Sequence, residues 1–154
     1  MKSFIVFSDI HGNTSALPVL KGLISENSGG IFAGDGLGAI ASLKIGEFYA
    51  VKGNCDFSGE SEMIFDVEGV KILLTHGHLY RVKSGYLQIL YRAKEVGAKV
   101  VIFGHTHEPL IAEEDGILMI NPGTCSNYSY KKTIAYLVIN GNKATAFIND
   151  RALN

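Results

Sequence analysis

Cysteine is scarce in this chain. Cys55 and Cys125 are too few and too far apart for a disulfide framework, which points to a reducing compartment and makes the cytoplasm the expected location. No apolar stretch approaches the roughly 20 residues needed to span a bilayer. After Met1-Lys2-Ser3, the apolar run 4–7 is too short for a secretory leader, so a soluble, unprocessed protein with no membrane partner is expected. A surplus of one charge is also missing. With 14 Lys and Arg against 15 Asp and Glu, the formal charge of −1 excludes a strong general attraction for nucleic acid or an anionic surface and leaves a small-molecule substrate. Repeats, low-complexity tracts and Pro/Gly/Ser linkers are absent. In 154 residues, 47% of them hydrophobic, these absences imply one domain over 1–154 with a substantial core and no room for a second. The mean hydropathy of +0.18 permits a homo-oligomer.

The chain does contain short apolar runs that end in polar clusters. Residues 4–7 form a continuous apolar run suited to a strand buried on both faces, with Ser8-Asp9 at its carboxyl end. Leu17, Leu20, Leu23 and Ile24 recur at helical spacing, predicting a helix over 14–27 with Asn13 or Thr14 as its cap and Gly29-Gly30 beyond its end. Strands over 30–33 and 48–51 flank a short helix over 37–45. Runs 63–67 and 70–74 enclose Glu68-Gly69, a tight hairpin signal. A helix over 84–96 stops at Gly97, a buried strand covers 100–103, strands 110–112 and 117–120 bracket an acidic turn, and 134–139 pairs with 144–148 across Asn140-Gly141-Asn142. Because hairpins abound after residue 63, the expected fold is α/β, a four-layer αββα sandwich of two mixed β-sheets flanked by helices, rather than one doubly wound sheet.

Five of the clusters carry metal-type donors: Asp9-Ile10-His11, Gly34-Asp35, Gly53-Asn54-Cys55-Asp56, Thr75-His76-Gly77-His78 and Gly104-His105-Thr106-His107. Asp9, His11, Asp35, Asn54, His76, His105 and His107 together supply hard oxygen and imidazole nitrogen donors, the set preferred by Mn, Fe, Zn, Ni or Co rather than by a thiolate-rich structural zinc site. Asp9 and His11, like His105 and His107, stand two apart at a strand end, and in an extended segment both side chains of such a pair point the same way. Ligands of open α/β sheets gather beyond the carboxyl ends of strands, so the five clusters are expected to converge on one crevice. Neighbouring glycines let the chain turn sharply and approach an ion or phosphate closely.

The ordered set D-x-H, G-D, G-N, H and G-H-x-H, from residue 9 to residue 107, resembles the calcineurin-like metallophosphoesterase family, and Asn121-Pro122-Gly123-Thr124 extends the match. The Ser8-Asp9-Ile10-His11-Gly12-Asn13 start and the Gly-Asn-Cys-Asp segment are similar to its small, single-domain YfcE-like phosphodiesterases in particular. The resemblance implies that Asp9, His11, Asp35 and His107 bind one divalent ion, and that Asp35, Asn54, His76 and His105 bind another. Asp35 would bridge the two, Mn being the leading choice of metal. It further implies a phosphodiesterase acting on small phosphodiesters or cyclic nucleotides by attack of a metal-bridging hydroxide on phosphorus, with Asp35, Asn54 and His78 as its catalytic residues. Many larger relatives carry a histidine acid directly after the asparagine, where this chain has Cys55, and that departure favours diesters over monoesters. Cys55 itself reads as a small semi-buried thiol. Asp56 reads as an acceptor that caps a loop, and His78 as a contact to substrate or a support for the ligands.

Other functions remain open at this point. A partner-binding scaffold, like the retromer subunit with this fold, would tolerate loss of ligands, whereas all seven positions here are chemically competent; tight partner binding without turnover would identify one. A phosphomonoesterase is a further alternative. A nuclease is disfavoured by the missing basic surplus and the short chain.

Overall fold

In a computed structural model describing residues 1–154, ten strands form two five-stranded sheets with an α-helix on each outer face. The first sheet has the order β10-β9-β1-β2-β3. Its strands are β1 (Lys2–Phe7), β2 (Gly29–Phe32), β3 (Glu47–Ala50), β9 (Ile134–Asn140) and β10 (Lys143–Asn149). β1, β2 and β3 run parallel, while β9 and β10 join antiparallel beside β1. The second sheet, β4-β5-β6-β8-β7, contains β4 (Glu62–Val67), β5 (Val70–Thr75), β6 (Val100–Ile102), β7 (Leu110–Glu114) and β8 (Ile117–Asn121). β5, β6 and β8 are its parallel centre, with antiparallel edges. Both sheets are thus mixed, as the sequence predicts.

Alternation along each strand builds the layers. Phe4 and Val6 of β1 enter the central core between the sheets, where Ile72, Leu74, Val100 and Ile102 meet them. Ile5 and Phe7 face the other way, under Leu20 and Ile24 of α1 (Ala16–Ser25). On the second sheet, Leu73, Val101 and Phe103 lie beneath Ile89, Leu90 and Ala93 of α2 (Leu87–Val96). Strands covered on both faces need no polar alternation, which is why residues 4–7 and 100–103 read as continuous apolar runs. Each fully buried phenylalanine here contributes about 1.5–3 kcal/mol of transfer free energy. The hairpin turns Glu68-Gly69 (φ 51° and 83°) and Asp115-Gly116 (φ 52° and 75°) have positive φ at both central residues, the twist a two-residue hairpin requires.

Three expected elements change. The first helix is shorter, Ala16–Ser25, and its cap position, Ser15, makes no side-chain cap bond. Asn13 is diverted from capping: its Nδ2 donates to the Cys125 carbonyl at 2.7 Å, and the Ser15 hydroxyl donates to Asn13 Oδ1 at 2.6 Å. The helix expected over 37–45 is two separate 3₁₀ turns, Leu37–Ala39 and Ala41–Leu43, which meet at Ile40, where the backbone (φ −99°, ψ 10°) leaves the helical region. The last helix starts at Leu87 rather than 84, since Gly85 at φ 141° breaks the chain direction after 3₁₀ turns at His78–Tyr80 and Val82–Ser84. None of the helices is long and apolar enough to cross a membrane.

Candidate metal centre

Five parallel strands of the two sheets are followed by loops that carry the donor residues at one edge of the sandwich. β1 leads to Asp9 and His11, β2 to Asp35, β5 to His76, and β6 to His105 and His107. The loop after β3 carries Asn54. Cross-links tie these loops together: the amides of Asp9 and Ile10 bond the carbonyls of Gly34 and Asp35, and the Gly104 amide bonds the His76 carbonyl.

The expectation of an extended Asp9-x-His11 pair does not hold. Asp9 (φ 57°), His11 (42°), Asp35 (65°), His105 (70°) and His107 (64°) all adopt left-handed backbone, as do only three other non-glycine residues. Left-handed backbone costs an L-residue about 1–2 kcal/mol. Two of those three others, Glu68 and Asp115, lie in hairpin turns, so away from turn geometry the strain is concentrated where the donors are. Positive φ swings each side chain out of the strand direction and into the crevice.

The base of the crevice is buried. Asp9 and His76 are fully buried, and Asp35 is 3% exposed. Around Asp9 Oδ1 stand three imidazole nitrogens: His107 Nε2 at 3.2 Å, His11 Nε2 at 3.3 Å and His76 Nε2 at 3.8 Å. Asp35 Oδ2 lies 3.2 Å from His76 Nε2 and 3.6 Å from His11 Nε2. Asp9 Oδ1, His11 Nε2 and His76 Nε2 are buried atoms with no hydrogen-bond partner. Unpaired buried polar atoms of this kind are costly unless something else satisfies them. Donors about 2.1 Å from a common ion lie roughly 3.0–3.4 Å apart in octahedral or tetrahedral geometry, so this donor set fits divalent metal. Within it, Asp9 with His11 and His107 makes one close group, and Asp9 with Asp35 and His76 another.

The remaining atoms of these side chains are already committed. His76 Nδ1 lies 2.7 Å from the Ala33 carbonyl, which it reaches as an N–H donor, leaving Nε2 with its lone pair toward the crevice. Asp9 Oδ2 accepts the Ser8 hydroxyl at 2.6 Å and the His105 amide at 3.2 Å. Asp35 Oδ1 accepts the Cys55 amide at 2.8 Å. Burial pushes the Asp35 carboxyl upward, but His76, the Cys55 amide and His11 outweigh it and hold it far below the ordinary carboxylate range. Burial opposes protonation of His76, yet the neighbouring Asp35 and Asp9 raise its value. His105 is pushed down to about 4, by burial first and then by repulsion from His76 and Lys83. It is therefore a neutral imidazole with a lone pair to give.

The rim faces solvent. His107 and Asn54 are exposed, and the Asn54 amide nitrogen donates to Cys55 Sγ at 3.6 Å, which leaves its Oδ1 uncommitted. His105 stacks edge-on to His76, with ring centroids 5.0 Å apart. His78 sits behind that pair, its ring 5.5 Å from His76 and 6.0 Å from His105, and its buried Nδ1 has no partner. Burial, then repulsion from His76, lowers its value. Cys55 is exposed rather than semi-buried, because Gly53 and Asp56 take the inner positions of that loop; its thiol lies near His11 and Asp35.

The bonding partners of several supporting residues are visible only in three dimensions. Asp56 accepts four backbone amides, from Gly53 (2.8 Å), Asp35 (2.9 Å), Gly36 (3.0 Å) and Leu37 (3.1 Å), and so clamps two donor loops together. The segment from Asn121 to Thr124 is a buried brace. Asn121 Nδ2 donates to the Gly104 carbonyl at 3.1 Å, and the Thr124 hydroxyl to the Asp9 carbonyl at 3.0 Å. Ser8 and Asn13 belong to the same scaffold, and their one sequence signal is a small polar residue flanking a donor cluster. Gly53 is required by proximity, since a methyl there would sit 2.1 Å from Asp35 Oδ1.

The profile of the calcineurin-like phosphoesterase superfamily domain matches residues 1–143. YsnB of Bacillus subtilis, named a probable metallophosphoesterase, is 36% identical over 155 residues, covering 97% of this chain and 92% of its own. A protein of Methanocaldococcus jannaschii named a phosphodiesterase is 39% identical over 64 residues, covering 41% of this chain and 34% of its own. Among solved structures, a Streptococcus pneumoniae protein described as a predicted phosphoesterase superposes with a TM-score of 0.81 at 25% identity, covering 97% of this chain and 90% of that one. Vacuolar Protein Sorting 29 of Cryptosporidium parvum reaches the same TM-score, 0.81, at 15% identity over 97% of this chain and 91% of its own, a likeness of fold alone.

Proposed function

The chain belongs to the calcineurin-like phosphoesterase superfamily, and from that premise we propose that it is a binuclear metal-dependent phosphodiesterase of the cytoplasm, its whole length acting as one unit on small phosphodiesters or cyclic nucleotides. The observation that carries this reading is the set of unpaired buried atoms, Asp9 Oδ1, His11 Nε2 and His76 Nε2, converging beside Asp35. Asp9, His11, Asp35 and His107 would hold one ion and Asp35, Asn54, His76 and His105 the other, with Asp35 shared; Mn is the leading choice. Two divalent ions, when bound, supply Lewis acidity toward phosphoryl oxygens and lower the pKa of the attacking water.

The chain's own residues do the rest. Only two of the seven donors, Asp9 and Asp35, are anionic, so the site does not repel a phosphate by accumulated carboxylate charge. His105 presents a neutral nitrogen, His76 is oriented by its contact with the Ala33 carbonyl, and the strained loops hold both in place before substrate arrives. His78 stands behind them with Nδ1 unpaired, in position to orient a phosphoryl oxygen or to hold its neighbours. The exposed rim at Asn54 and His107 is the side from which substrate enters. Cys55 stands where a histidine acid would assist a poor leaving group. Its thiol is held above its ordinary value, by burial first and then by Asp35, and is a weaker acid than an imidazolium. That supports diesters over monoesters.

The test compares bis(p-nitrophenyl) phosphate, p-nitrophenyl phosphate, cyclic nucleotides and single-stranded DNA on protein loaded in turn with Mn, Ni, Co and Zn. Diester turnover exceeds monoester turnover, DNA is untouched, and Asp35→Asn abolishes activity. Absence of any diester hydrolysis, together with an inert Asp35→Asn change, overturns the proposal.

A further inference from the structure

Beside the metal centre, Leu37, Gly38, Cys55, Asp56, Phe57 and Ser58 line an open cleft of about 430 Å³, within the range of small-molecule sites. We propose that this cleft receives the base of a nucleoside phosphodiester and that Phe57 is the surface on which the base stacks, which makes Phe57 a specificity-determining residue. The inference rests on the phosphodiesterase reading and, among the small phosphodiesters and cyclic nucleotides named there, singles out those that carry a base.

Three observations carry it. The cleft and the metal centre share Cys55, whose thiol lies within 4.8 Å of a donor atom of both His11 and Asp35. A phosphoryl group placed on the donors therefore leaves one ester substituent at the Cys55 edge, which is the mouth of the cleft. Second, Phe57 is fully exposed, while the loop on either side of it is anchored. Asp56 on one side is tied to four backbone amides, and on the other Gly59 turns at φ 131° into Glu60, whose carbonyl accepts the Lys52 amide at 2.8 Å. A chain held this firmly at both ends that keeps a phenylalanine ring in water gains nothing for its own core; the ring is free to cover another flat group. Third, the walls suit a base better than an alkyl chain. Leu37 and Gly38 add apolar lining beside Phe57, and Ser58 brings a hydroxyl-bearing side chain to the same cleft. Stacking on an aromatic ring tolerates any base, because every base offers a π-face.

The test measures binding of two product-like ligands, adenosine 5′-monophosphate and methyl phosphate, to the Mn-loaded protein by calorimetry. The nucleotide binds about tenfold more tightly, equivalent to about 1.4 kcal/mol. Phe57→Ala collapses that ratio to near one, and Phe57→Trp preserves or enlarges it. Tyr91→Ala, which removes an exposed ring from α2, leaves the ratio at the wild-type value. Because Phe57 is fully exposed, its replacement leaves no cavity, and the urea midpoint serves as the check on folding. Equal affinities in the wild type, or an unchanged ratio in Phe57→Ala, overturn the inference. If that happens while bis(p-nitrophenyl) phosphate is still hydrolysed, the phosphodiesterase reading stands and only the base pocket falls; if neither phosphate binds and no diester is turned over, both fall.

Discussion

Asp56 has no place among the expected ligands, yet its removal is the sharpest stability test of how the site is built. Asp56→Ala strips the acceptor from four amides at once. Two of them, on Asp35 and Gly53, belong to buried residues, whereas Gly36 and Leu37 are partly open to water and can be re-solvated. An unsatisfied buried amide costs about 1–3 kcal/mol. Counting only the two buried groups gives a loss of about 2–6 kcal/mol, and in a chain of this size each kcal/mol lowers Tm by roughly 2–4 °C. A central loss of about 4 kcal/mol therefore means a drop of roughly 8–16 °C. Asp56→Asn retains one acceptor oxygen but turns an NH₂ toward one pair of amides, so it recovers only part of the loss. Urea titrations of the three proteins, with m held common, give the values directly. A loss below about 1 kcal/mol for Asp56→Ala refutes the clamp, because it would mean that water replaces the carboxylate at all four amides.

Other expectations follow from the same geometry. Divalent metal at a hundredfold excess over its Kd raises folding stability by about 2.7 kcal/mol, a chelator reverses this, and Asp35→Asn removes most of the rise; an identical shift in the variant would contradict the assigned donors. Gly104→Ala places a methyl 2.2 Å from Ser8 Oγ and 2.8 Å from Asp9 Oδ2, so it costs about 1–3 kcal/mol and abolishes the metal-induced Tm increase. Iodoacetamide modifies one thiol of the native protein and two after unfolding. Cys55 is exposed, while Cys125 is fully buried and burial pushes its thiol up to about 12. Rapid native labelling of Cys125, read by mass spectrometry, would contradict that packing. Glu62 ties β4 to α2 through Arg92 at 2.7 Å and through Tyr80. Burial raises its carboxyl, but Arg92 and Tyr80 outweigh this and hold it below its ordinary 4.5. A depressed carboxyl stabilises the fold above the unfolded value and loses that contribution as pH falls through the folded one. The urea midpoint therefore falls as pH drops below about 4.5, and Glu62→Gln makes that decline shallower.

The donor inventory and most strands were legible in the sequence for one reason. Strands buried on both faces must be continuously apolar, and the recurrence of Asp, His and Asn at the carboxyl ends of five such runs points to one crevice. The Glu68-Gly69 turn was readable because positive φ restricts which residues can stand there. By contrast, the helices expected over 37–45 and from residue 84 were misread because apolar periodicity does not record where the backbone leaves helical dihedrals, at Ile40 and Gly85. Nor does it show that Asp56 accepts the amides of Gly36 and Leu37 from twenty and nineteen positions away. The extended reading of Asp9-x-His11 failed for a related reason, since the left-handed backbone there is imposed by bonds to the Gly34 and Asp35 carbonyls of the neighbouring loop.

By itself, the sequence determined the chemistry available: two carboxylates, four imidazoles and an amide as donors, with no surplus charge or spare cysteines to suggest another trade. Tertiary structure alone decided that β9 and β10 complete the first sheet beside β1, that Cys55 faces solvent, and that Asn121 and Thr124 brace the loops of Gly104 and Asp9 from more than fifteen residues away. The division has a physical basis. Donor identity is a property of each residue, whereas convergence of the donors comes from hydrogen bonds between segments far apart in the chain, and no local pattern records them.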